Sequence, residues 1–262
     1  MSAQQASADI AEYQKAEPSN LAYDPVAKAY VRGADYCPAY ATSVDRYLLQ
    51  LVALENDWMD PADTWFVGRP PVEVVALRRP ATNAAHLMAV LDAIRDRLEI
   101  DVDYRSMTGT PAEWRRIAPH AMAYNAGRWY VRAWSREHND FRDYSLQRIR
   151  GVGAPSPADV DYSLDYEWHQ KFDLVLKPNP KLSPERRRAV EEELEMVDGQ
   201  LRVPVRLSLS FYLMAENSLD IDPDLLKPER QQLVLENRED VDAARHFARE
   251  TAKQALKRAR GG

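Results

Sequence analysis

The 262-residue sequence predicts an α+β chain organised around a small antiparallel β-barrel. Three observations carry that prediction. Between Leu98 and Val152, short β-favouring runs are separated by turn chemistry at Thr108-Gly109-Thr110-Pro111, Asn125-Ala126-Gly127 and Glu137-His138-Asn139-Asp140. Closely spaced strands joined by short polar turns make a strongly bent sheet or barrel. Helical periodicity and a hairpin pattern precede this stretch, and strands alternating with helices follow it. The boundaries read as 1–40, 41–97, 98–152, 153–237 and 238–262.

Taken in order, Ser2 to Ala16 reads as a helix, with Ser2 as its cap and Gln5 three residues on, and Pro18 stops it. Ile10 and Tyr13 lie on one face. Leu21-Ala22-Tyr23 and Ala29-Tyr30-Val31, joined by Asp24-Pro25-Val26-Ala27-Lys28, read as a hairpin. A helix leading into a hairpin is the second half of a winged helix-turn-helix. Ser43 to Glu55 has apolar residues at helical spacing, and Asp57 to Pro71 is loop-like, with Trp58, Trp65 and Phe66 as packing anchors. Val72 to Leu77 is a strand candidate, and Thr82 to Leu98 is a helix that delivers the chain into the barrel.

Within the barrel every basic residue is Arg, at 105, 115, 116, 128, 132, 136, 142, 148 and 150, interleaved with aromatic residues. Guanidinium offers a planar fork of donors that suits phosphate or carboxylate oxygens and stacks on rings. Alternation along Arg128 to Trp134 puts Arg128, Tyr130, Arg132 and Trp134 on one face, read as polar or ligand-facing. Trp129, Val131 and Ala133 make the other, read as core. The Arg side chains either solvate the sheet or hold an anion. His120 is either a structurally satisfied strand residue or part of a pocket.

After the barrel, Gly153 to Ala158 reads as a linker, and Leu164 to Gln170 as a short helical turn. Phe172 to Leu176 is a strand; Ser183 caps a helix with Pro184 at its first position, running to about Met196. Leu201 to Val205 is a strand, Leu207 to Met214 a helix, Gln232 to Leu235 a strand, and Glu239 to Arg260 a final amphipathic helix with a basic end. Together these make a small α+β layer. Glu191, Glu192, Glu193 and Glu195 read as a solvated helix face, and no metal or cofactor is expected.

The composition, 45% hydrophobic and 29% charged, is that of globular domains. A net charge of −6 means that any nucleic-acid binding must use local basic surface. The single cysteine, Cys37, excludes an intramolecular disulfide. No apolar run approaches the ~20 residues of a membrane span, and the start lacks a signal-peptide pattern, so a cytoplasmic location without membrane contact is the expectation. No base–nucleophile pair stands at recognisable spacing, which argues against an enzyme.

The run Gly127-Arg128-Trp129-Tyr130-Val131-Arg132-Ala133, followed by Phe141-Arg142-Asp143-Tyr144-Ser145-Leu146-Gln147-Arg148-Ile149, resembles the WYL domain. Val131 stands where that Sm-like (SH3-like) barrel has its signature Leu. Tyr104-Arg105-Ser106 and Arg116-Ile117-Ala118-Pro119-His120 sit at the family's other polar positions. The resemblance extends to the WYL transcriptional regulators associated with bacterial phage-defence operons, built from a winged helix-turn-helix, the barrel and a C-terminal extension domain that helps form a dimer. It implies a homodimeric, ligand-responsive DNA-binding repressor of a phage-defence or stress operon. It also implies a pocket for a nucleotide or nucleic acid formed by Tyr104, Ser106, Arg116, His120, Tyr130, Arg132, Arg142, Ser145 and Arg148. Gln4, Gln5 and Ser7 would then meet operator DNA at base edges or phosphates, and Lys15, Lys28 and Arg32 its backbone. The chain begins inside or just before the recognition helix, so the winged helix-turn-helix reads as partial. The alternative is a WYL sensor module that binds a nucleotide or single-stranded nucleic acid without operator binding.

Overall fold

A computed structural model describes residues 3–40, 43–64, 66, 69–75, 81–107 and 113–260, without the side chains of 3, 113 and 257–260. The cap at Ser2, the anchor Trp65, the turn at 108–111, the last two residues of the 72–77 strand candidate and the basic side chains of 257–260 lie outside the described residues. The chain divides into two compact units, Met1–Arg78 and Arg79–Gly262.

In the first unit, α1 (Ala3–Ala16) leads into a two-stranded hairpin, β1 (Leu21–Asp24) and β2 (Ala29–Arg32), followed by α2 (Val44–Glu55). The joint between α1 and the hairpin is built on Asn20, which is buried. Its Nδ2 donates to Tyr13 Oη at 2.8 Å and to the Cys37 carbonyl, while its Oδ1 accepts from Cys37 N at 2.9 Å. Gly33 closes the same joint: its N donates to the Asn20 carbonyl at 3.0 Å. A Cβ there would sit 1.9 Å from the Ser19 carbonyl oxygen, so only glycine fits. Ser43 caps α2, accepting from Arg46 N, and Leu51 and Leu54 form its buried stripe. Residues 72–75 are in no strand.

The second unit opens with α3 (Ala84–Asp96), capped by Asn83 and ended by Arg97 in the left-handed region (φ 54°). A bent sheet follows: β3 (Leu98–Tyr104), β4 (Glu113–Asn125), β5 (Arg128–Ser135), β6 (Asp140–Ser145) and β7 (Ile149–Val152), in the order β6-β5-β4-β3-β7. β4 and β5 meet at a two-residue turn in which Ala126 and Gly127 both have positive φ (45° and 74°), the geometry of a type I′ hairpin. The expected linker is not free. Ser156–Pro157, β8, pairs with Leu98–Glu99 and extends the sheet, which the Gly/Pro/Ser composition of this segment conceals. Val90 and Ala93 of α3 pack with Ile100, Val102, Ile117, Val131 and Ala133 to fill the barrel.

The C-terminal layer comprises α4 (Tyr166–His169), β9 (Lys171–Pro178), α5 (Pro184–Glu193), β10 (Leu201–Arg206), α6 (Leu207–Glu216), β11 (Leu233–Leu235) and α7 (Arg238–Arg260). β9 is the centre of a three-stranded antiparallel sheet, flanked by β10 and β11. Pro204 falls on the edge strand β10, where a missing N–H costs no ladder bond on the outer side. Leu174 and Leu176 of β9, Met214 of α6 and Val241 of α7 share one core. A second cluster, Ala118, Trp134 and Phe141 of the barrel, is packed by Val160, Tyr162, Leu164 and Leu256. At ~1.5 Å per residue, the 23-residue α7 is long enough to reach both cores.

That second cluster corrects the two-faced reading of β5. Trp134 is 1% exposed and Arg132 4%, while Trp129, expected in the core, is 45% exposed at the hairpin end. Both faces of β5 are covered, one by the barrel interior and the other by segments that follow the barrel. Strand alternation separates two faces but does not say whether water or a distant part of the chain covers them.

Asn20→Ala is expected to destabilise the N-terminal unit by about 1–3 kcal/mol, because the Cys37 N–H and the Tyr13 hydroxyl lose their partner. Urea unfolding of the full chain checks this; an unchanged first transition would show Asn20 dispensable.

Candidate functional site

The barrel face turned toward the C-terminal layer carries a buried ion network. Arg132 on β5 donates from Nε and Nη2 to both Asp165 carboxylate oxygens, at 2.7 and 2.8 Å. Nη1 lies 3.4 Å from Asp143 Oδ1, and Nη2 lies 3.5 Å from Glu167 Oε2. His120 Nε2 is 2.9 Å from Asp165 Oδ2. The backbone places His120 there: the register passes from Pro119–Ala133 to Ala121–Arg132, so His120 is the extra residue of a bulge. Asp165 also caps α4, accepting from Trp168 N. Glu167 continues the chain of charges to α7 through Arg249 Nε at 2.9 Å.

Burial disfavours the Asp165 carboxylate, but the hydrogen bonds from Arg132 and His120 outweigh it and hold the group below the usual carboxylate range. Burial also disfavours the Arg132 charge, and its bonds to Asp165 and the surrounding acids raise its pKa nonetheless. Both shifts favour the charged form of the group concerned. This arrangement locks the barrel to the segment after it; it leaves Arg132 no free donor fork for a ligand.

Beside the network lies a hollow of about 530 Å³ between the barrel and α6. The barrel contributes Tyr104, Arg128, Tyr130, Asp143, Ser145 and Arg148; α6 contributes Phe211, Tyr212 and Glu216. Tyr130 and Tyr212 pack ring to ring at 4.5 Å, and Tyr212 Oη donates to Asp143 Oδ2 at 3.2 Å. Burial and the neighbouring Asp143 charge raise the pKa of the Tyr212 phenol, which keeps it a donor. The Asp143 carboxyl is itself pushed up by burial, against the pull of Arg132. Arg115, Arg116, Arg132 and Arg136 are all ion-paired. Among the described residues, neither Arg128 nor Arg148 has such a partner, and both line the hollow.

Of the nine residues expected to form one pocket, the structure brings Tyr104, Tyr130, Ser145 and Arg148 to the hollow. His120 and Arg132 lie behind its wall in the ion network. Arg116 is spent on Asp101 (2.6 and 2.8 Å) and Glu99, Ser106 lies past the end of β3, and Arg142 is exposed on β6. Sequence reasoning missed Asp143 and all of α6. Asp143 sits inside the barrel motif and its carboxylate was a readable signal; nothing local marks Phe211, Tyr212 or Glu216. In the first unit, Gln4, Gln5, Ser7, Lys15, Lys28 and Arg32 are all exposed, and Gln5 donates to Asp9 at 2.7 Å.

Arg132→Ala is expected to cost about 3–5 kcal/mol, since Asp165 would remain buried without its partner. Urea unfolding measures it, and a loss under about 1 kcal/mol would contradict the network's structural role. The pH dependence has a definite sign. The Asp165 contribution is complete above the unfolded carboxyl value of about 3.9 and fades as pH falls through its lower folded value. Asp165→Asn should therefore lower stability at neutral pH and flatten the acid limb of the stability curve.

Three family models match successive parts of the chain. They are the BrxR transcriptional regulator winged helix-turn-helix domain over residues 1–53, the WYL domain over 85–153, and the BrxR transcriptional regulator C-terminal dimerization domain over 171–241. Similar proteins include the DNA-binding transcriptional repressor CapW of Pseudomonas aeruginosa, 33% identical over 92% of this chain and 81% of that one. CapW of Stenotrophomonas maltophilia is 33% identical over 95% and 87%, and CapW of Escherichia coli (strain KTE188) 30% over 93% and 82%. Matched in all three domains and along most of its relatives' length, the chain belongs to the family of BrxR-type WYL transcriptional regulators that includes the CapW repressors.

Proposed function

We propose that the chain is a homodimeric DNA-binding repressor of a phage-defence or stress operon, released by a nucleotide or nucleic-acid ligand at the WYL barrel. The observation that carries the DNA-binding part is the likeness, over 92% of this chain and 81% of the relative, to a protein named a DNA-binding transcriptional repressor, together with the winged-helix match over 1–53. The dimerization-domain match over 171–241 supports the dimer. Within this reading Gln4, Gln5 and Ser7 on α1 meet base edges, and Lys15, Lys28 and Arg32 meet phosphates, from an exposed helix and wing.

Ligand response draws its support from the make-up of the hollow. One wall is barrel and the other is α6, which falls inside the segment matched by the dimerization domain. A ligand there touches both, so its affinity depends on how they are disposed. It shifts the repressor only by the difference between its affinities for the two dispositions.

A gel-shift titration with the promoter of the protein's own operon tests the repressor. The expected result is a dimer-sized complex that outcompetes unrelated DNA of equal length; equal affinity for both would overturn it. Lys28→Ala should weaken binding to every sequence and reduce the salt slope by about 1. For the hollow, Arg148→Ala should abolish release by the ligand while leaving operator affinity and unfolding midpoint unchanged, because Arg148 has no ion pair to lose among the described residues. Loss of folding in that variant would assign Arg148 a structural role.

A further inference from the structure

We infer that the hollow takes a guanine nucleotide, its base edge read by the Asp143 carboxylate and its phosphate held by Arg128 and Arg148; this rests on the ligand-sensing reading above. The argument starts from Asp143. Its side chain is 11% exposed, and its two oxygens have only long contacts, 3.4 Å to Arg132 and 3.2 Å to Tyr212. The two oxygens of a carboxyl group offer more acceptor positions than these two contacts use, so Asp143 retains unused capacity on the wall of a cavity. A buried carboxylate with spare acceptor sites calls for donors from whatever fills the space in front of it.

The other lining groups restrict those donors. Arg128 and Arg148 have no ion-pair partner among the described residues, so a cationic ligand is repelled and an anionic group on the ligand is attracted. Tyr104 and the Tyr130–Tyr212 pair give the hollow flat apolar walls. A volume of about 530 Å³ lies within the range of small-ligand pockets. The ligand is thus a planar ring bearing adjacent N–H donors on one edge and an anion at the other end. Guanine presents its ring N–H and exocyclic amine side by side, a neutral match for a carboxylate. Adenine and cytosine place an acceptor beside their single amine, and uracil and thymine flank their N–H with two carbonyls. Each of these sets a lone pair against Asp143. Glu216 lines the same hollow but is exposed, and a solvated carboxylate discriminates less.

The same chemistry is available from a free nucleotide or from a guanine within a single strand. Calorimetric titration of the unaltered full chain with GMP, IMP, AMP and CMP decides the base. A thymidine oligonucleotide with one central guanine, run beside its all-thymine counterpart, decides the source. GMP should bind roughly tenfold to a hundredfold more tightly than AMP or CMP, with IMP, which lacks the exocyclic amine, in between. Equal binding of GMP and AMP would overturn guanine recognition while leaving a nucleotide site. Failure of every nucleotide and both oligonucleotides to bind would overturn the ligand-sensing reading as well. Asp143→Asn should erase the preference, and Glu216→Gln should keep it; the opposite pattern would remove Asp143 from the assignment. If Asp143→Asn fails to fold, the analogue series on the unaltered protein still decides.

Discussion

The interaction on which the second unit depends is the two-pronged bond between Arg132 and Asp165. Both side chains are almost wholly out of water, at 5% and 1% exposure. Burying a guanidinium and a carboxylate costs several kcal/mol per ion, so the pair is stable only with close geometry and further bonds on the remaining positions. His120, Asp143, Glu167 and the α4 backbone supply those bonds. Such a pair adds little net stability over an apolar substitute. What it fixes is position: no other disposition of the 160–170 segment against the barrel would satisfy both charges.

From that constraint the site follows. Because Asp165 claims Arg132 and Asp101 claims Arg116, much of the barrel's positive charge is neutralised within the protein. Of the barrel arginines without an ion pair among the described residues, Arg128 and Arg148 border the hollow beside α6. An Arg-rich strand therefore divides its work, with one guanidinium holding the fold and others bordering a hollow.

How much of this was legible from the residues depended on sequence distance. Helix caps at Ser43, Asn83 and Ser183 and the positive-φ turn at Ala126-Gly127 are local, and the elements they bound were read correctly. Most of the barrel was legible for the same reason, since β3 to β6 pair in chain order, whereas the closing pair of β7 with β3 joins residues far apart in the sequence. The partners of the polar residues were not. Asp165 lies 33 residues from Arg132 and 45 from His120, Tyr212 lies 69 from Asp143, and Arg249 lies 82 from Glu167. No periodicity spans such distances, and an Arg bound for an internal carboxylate looks the same in the sequence as one facing solvent. The β8 pairing failed for a related reason: two residues are too few to show alternation, and Pro157 argues for a linker unless the edge it joins is known.

The two kinds of contact between the barrel and the C-terminal layer differ in how costly they are to break. Arg132 and Asp165 are buried, doubly bonded and surrounded by compensating charge, so separating them leaves two desolvated ions and has no cheap intermediate. Tyr212 and Asp143 share one neutral-to-charged hydrogen bond at 3.2 Å, and neighbouring Phe211 is 49% exposed. Giving up that bond inside a hollow costs little when an incoming donor replaces the phenol at the carboxylate. The hollow thus has a rigid barrel on one side and an exchangeable contact on the other. The exchangeable contact belongs to α6, the helix that also carries Met214 into the core of the C-terminal layer. The stiff pair thus fixes the register of the C-terminal layer on the barrel, while the weak one leaves α6 a contact that can be exchanged without exposing a buried ion pair.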